Sequence, residues 1–172
     1  MKSHSTAIAN EFLDRANATG KTLTQMQLQK LVYIANGWSL SLLEEQLVED
    51  TVQAWDYGPV FPELWEALRG YGRSPITKPI LKGDFGFNAF SDSASEKSSV
   101  ELSTRQTDLI DKVFETYGKF HAFQLSAMTH QDGTPWHKIF VTDGRKRGEI
   151  PTELIKKHFC DLRVKRSKAK AV

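Results

Sequence analysis

One cysteine, Cys160, is all the thiol this sequence contains. An internal disulfide is therefore excluded, and the chain reads as one suited to a reducing cytoplasm. No apolar run approaches the ~20 residues that a membrane span needs. The N-terminal stretch MKSHSTAIANEF lacks the apolar core of a secretory signal. No G-x-S-x-G elbow occurs, and the glycines at 70, 72, 83 and 86 do not sit between a strand and a helix, so no phosphate cradle is expected. Structural zinc sites bring ligands in tight pairs. His121, His130 and His137 are widely spaced, and His158 with Cys160 is the one close pair. Neither a metal nor a cofactor is expected. Asp132 beside His130 is the best acid/base candidate, which leaves a hydrolase as the enzyme alternative. Asp-Gly before Thr-Pro reads better as a turn, so no catalytic residue is assigned.

What is present describes an ordinary globular domain: 172 residues, 26% charged and 40% hydrophobic. The segment 163–172 carries Arg163, Lys165, Arg166, Lys168 and Lys170 and no acidic residue. It reads as a basic, disordered tail, or as a contact for an acidic partner or nucleic acid. Nucleic acid is disfavoured, because no helix joins a basic face to polar base-reading residues.

The segment Leu23–Leu43 is the expected spine. Thr24 with Gln27 forms a capping box, and Leu23 with Leu28 a hydrophobic staple. Leu28, Leu31, Val32, Ala35 and Trp38 follow helical spacing, with Tyr33 and Ile34 adding apolar surface on the other side. Before it, Ala7, Ile8, Phe12, Leu13 and Ala16 predict a short helix that Gly20 stops. After it, Leu47-Val48 and Val52–Trp55 predict a minimal β-ribbon, and Tyr57-Gly58-Pro59 a turn. Pro62 opens a helix to about Arg69. The stretch 72–101 is an irregular excursion with a flexible tip. Ser103 with Gln106 caps a helix carrying Leu109, Ile110, Val113, Phe114 and Tyr117. His121–Thr129 forms a shorter helix, Trp136–Phe140 one further turn, and Thr152 to about Phe159 the last helix. The expected class is mainly α: a compact multi-helix domain around a central buried helix, with a small β-ribbon.

Three segments, LQKLVYIANGWSL (28–40), VQAWDYGPVFPELWEALRGYG (52–72) and MTHQDGTPWHKI (128–139), together resemble the Panacea antitoxin domain, also called SocA-like or GepA-like. The resemblance spans about residues 5–160 and would make 1–162 one such domain. It implies a mostly helical fold and an antitoxin that neutralises a neighbouring-gene toxin through protein–protein contact. Delivery of the toxin to a protease is the alternative. Leu28, Lys30, Leu31, Tyr33, Trp38, Trp55, Tyr57, Gly58, Pro59, Thr129, His130 and Trp136 occupy the family's characteristic positions.

Of these, Leu28, Leu31, Trp38 and Trp136 are expected in the core, with Trp65. Lys30 is a cation inside a nearly all-apolar helix; it snorkels outward, pairs with a carboxylate or carbonyl, or faces a partner. The expected working surface joins two turns, Trp55-Asp56-Tyr57-Gly58-Pro59 and Thr129-His130-Gln131-Asp132-Gly133, with Lys30 reaching them from the spine. Alternatively, Tyr57 and His130 only tie the turns together by hydrogen bonds.

Overall fold

The computed structural model describes residues 4–83 and 96–170. Helix α1 (Ser5–Ala18) precedes the spine, α2 (Gln25–Leu42). Both expected capping boxes form: Thr24 accepts from the Gln27 N–H and Ser103 from that of Gln106, and each glutamine side chain reaches back to its cap. Helix α2 is buried from Leu28 through Ser41 on every side. It packs against α1, α3 (Pro62–Leu68), α4 (Thr104–Tyr117), α5 (Ala122–His130) and α7 (Thr152–Lys170). The short α6 (Pro135–His137) runs into a π-helical turn, Lys138–Thr142.

A helix enclosed on all sides must satisfy its own polar side chains. The Gln29 amide does so by pairing with residue 61, donating to Phe61 O at 3.1 Å and accepting from Phe61 N at 2.9 Å. Asn36 Oδ1 accepts from Leu47 N at 3.1 Å and Val48 N at 3.0 Å. In α1, Asn10 donates to Ile80 O and Ser98 O and accepts from Ile80 N, which pins both arms of the 72–101 excursion. The tip of that excursion, 84–95, lies outside the described residues, and with it the flexibility expected there.

Three expectations need correction. The ribbon pairs β1 (Gln53–Trp55) with β2 (Gly58–Val60), antiparallel, with Ala54 opposite Pro59. Leu47-Val48 instead docks on Asn36. The other edge of β1 meets residues 147–150, through Ala54 N to Gly148 O and Ile150 N to Val52 O.

The second correction concerns the tail, which continues as α7 to Lys170. Arg163 donates to Ser41 O, Arg166 donates to the Tyr117 hydroxyl at 2.7 Å, and the Arg166 guanidinium lies 4.8 Å from the Trp38 ring centre. Low apolar content suggested disorder, but long basic side chains can pack their stems and planar heads against a body. The third is Trp65, which is half-buried, stands 5.4 Å from Trp55 and walls a pocket. Leu28, Leu31, Trp38 and Trp136 are buried as expected.

Candidate functional site

Lys30 lies about one turn into α2, where the helix passes behind the ribbon. Its side chain is 1% exposed, so it does not snorkel. Its Nζ donates to Pro59 O at 3.0 Å, and no carboxylate lies within ion-pair distance among the described residues. Removal from water disfavours the charged form and pushes its pKa down to about 7. Gly58, at φ +108°, makes this placement possible. A Cβ there would stand 2.8 Å from Lys30 Cε and 2.7 Å from Thr129 Oγ1.

The two turns do come together, and backbone carbonyls hold them. Trp136 Nε1 donates to Trp55 O at 2.7 Å. His130 Nε2 lies 3.1 Å from Asp56 O, and Ser126 Oγ donates to Tyr57 O at 2.9 Å. Three successive carbonyls of the β1–β2 turn are thus each met by α5 or α6. His130 Nδ1 also lies 2.6 Å from Ser126 O, and its ring centre is 3.9 Å from that of Trp136. Each imidazole nitrogen thus faces a backbone carbonyl, and a neutral ring can donate to one of the two. Asp132 lies 3.4 Å from His137 Nδ1 instead, so His130 and Asp132 form no acid/base pair.

The expected site residues divide by position. Gly58, Pro59 and Thr129 are buried struts; Thr129 Oγ1 donates to Ser126 O at 2.8 Å. Asp56 and Tyr57 are exposed, and Trp55 is half-buried. Asp132 is exposed and does not line the pocket between α2, the ribbon turn and α5.

A pocket of about 440 Å³ opens between the start of α2, the ribbon turn, Trp65 of α3, Arg73 and the start of α5. Lys30 and Gln29 contribute from α2, Trp55, Asp56 and Tyr57 from the ribbon turn, and Phe123 from α5. Phe123 is 69% exposed and Tyr57 60%, the two most exposed large apolar side chains among the described residues. The Trp55 ring is fixed by its Nε1 bond to Gln53 Oε1 at 2.9 Å and by the Arg147 guanidinium 4.4 Å from its centre. Sequence reasoning missed Phe123, Met26, Arg73 and the pocket role of Trp65. Phe123 did leave a signal: it falls off the buried stripe of Leu125, Ser126 and Thr129.

Comparison with known proteins gives two matches. The sequence profile of the family described as "Antitoxin SocA-like, Panacea domain" matches residues 28–137. The chain is 31% identical over 159 residues to "Antitoxin SocA" of Caulobacter vibrioides (strain NA1000 / CB15N), covering 89% of this chain and 80% of that protein. No solved structure matches. No described helix is long and apolar enough to cross a membrane.

Proposed function

We propose that this chain, which belongs to the SocA-like, Panacea-domain antitoxin family, neutralises a protein toxin by direct contact through the face that carries the Trp55–Tyr57 turn. The observation that supports this reading is the open aromatic pocket with Tyr57 and Phe123 standing at its mouth. Exposed aromatics beside a well-formed pocket are the usual anchors of a protein interface. The turn that presents Tyr57 is held rigidly through its carbonyls, so little conformational freedom would be lost on docking. Chemistry on the toxin is not part of this reading, because His130, the best base candidate, is occupied in holding the turn.

The test is co-expression with the product of a neighbouring gene that cannot be expressed on its own. Tyr57→Ala and Phe123→Ala should keep the wild-type melting temperature and lose both protection and co-purification. Full protection by both variants would move the docking face elsewhere. Following the amount of toxin separates the mechanisms: a toxin level that falls with antitoxin and recovers in a protease-deficient host identifies a proteolytic adaptor.

A further inference from the structure

Lys30 is a costly residue to place where it is. An ammonium has three N–H donors, and Pro59 O is the one acceptor it meets among the described residues. A buried charge without a counter-ion is strongly disfavoured, and a methionine of similar volume would fill the same space without that penalty. The surroundings are nevertheless arranged to admit the amine: Gly58 leaves open the volume in which it sits, and Lys30 forms part of the pocket lining. The other charged groups of that lining are Asp56 and Arg73, both exposed, and Arg147 stacks behind Trp55. The pocket therefore combines aromatic walls with a buried amine that meets no carboxylate among the described residues.

We propose that this pocket receives a carboxylate-bearing peptide segment of the partner protein, with Lys30 as its counter-ion; this rests on the docking reading above. An aspartate or glutamate entering the pocket supplies the missing anion and accepts the unused donors. A neighbouring apolar side chain of the same segment packs on Trp55, Trp65, Tyr57 and Phe123. Charge-assisted bonds in a desolvated site are the strong class, so the acid, more than the apolar area, sets specificity.

The experiment selects a phage-displayed random heptapeptide library on the full-length chain. It then measures the selected peptide by calorimetry, beside its Asp→Asn or Glu→Gln counterpart. The expected peptides carry an acid next to an aromatic or aliphatic residue. The amide counterpart binds wild type roughly tenfold or more weakly, and Lys30→Met no longer distinguishes acid from amide. The amide comparison is made on wild-type protein, so it does not depend on the variant's folding. Enriched peptides without an acid, equal binding of acid and amide, no enrichment at all, or displacement of the peptide by a short oligo-dT would each overturn the inference. Peptides whose binding is unaffected by Tyr57→Ala and Phe123→Ala would instead refute the docking face itself.

Discussion

The amine of Lys30 and the missing Cβ of Gly58 compete for one volume: a Cβ on residue 58 would stand 3.1 Å from Nζ and 2.8 Å from Cε. Glycine here serves two purposes, since φ is +108°, a region that L side chains rarely adopt. Gly58→Ala should therefore destabilise the fold by about 3 kcal/mol, from backbone strain and overpacking together. Urea denaturation measures this. A loss below about 0.5 kcal/mol would show that the ribbon and Lys30 can shift apart at little cost.

Lys30 should make stability depend on pH. Its pKa falls from 10.5 in the unfolded chain to about 7 when folded. Between those values the unfolded chain holds a proton that the native state has released, so stability rises with pH. Its contribution is greatest above 10.5 and is lost as pH falls toward 7. From pH 9 down to pH 6 this group should remove roughly 2–3 kcal/mol. Lys30→Met carries no such group, so its stability relative to wild type should be greater at pH 6 than at pH 9 by that amount. A gap that does not change with pH would contradict the desolvated amine.

His130 and Tyr57 should separate in stability measurements. His130→Ala removes the imidazole between Asp56 O and Ser126 O and the ring contact with Trp136. A loss of roughly 1–3 kcal/mol is expected. The Tyr57 side chain is exposed, while its carbonyl does the holding, so Tyr57→Ala should stay within about 0.5 kcal/mol of wild type. Thermal melts of both variants decide the matter. A large loss in Tyr57→Ala would make that ring structural.

Ending the chain at Leu162 should weaken the fold without abolishing it. The truncation removes the Arg163 bond to Ser41 O, the Arg166 bond to Tyr117 and the stacking on Trp38. Together these should contribute about 1–3 kcal/mol, read as a lower melting temperature with the helical circular dichroism largely retained. An unchanged melting temperature would mean that the arginines add nothing to the native state.

The sequence alone determined whatever depends on near neighbours. Both capping boxes are satisfied within four residues, and the apolar spacing of Leu28, Leu31, Val32, Ala35 and Trp38 identifies the spine regardless of what surrounds it. The meeting of the two turns could also be anticipated, from the polar-tipped aromatics and charges that both carry and that a core would not require. Tertiary structure decided the rest. Val52–Trp55 could pair with any apolar neighbour, and the contest went to Gly58–Val60 and to residues 147–150. The extent of α7 depended on Ser41, Tyr117 and Trp38, more than forty residues away, offering acceptors and a ring to its arginines. The pocket could not be read from any single segment, because it is the space left where α2, the ribbon, α3 and α5 fail to close. Hydrogen bonds within a helix end are fixed by residues adjacent in the chain, whereas strand partners, buried charge and empty volume are fixed by distant segments that only the folded chain brings together.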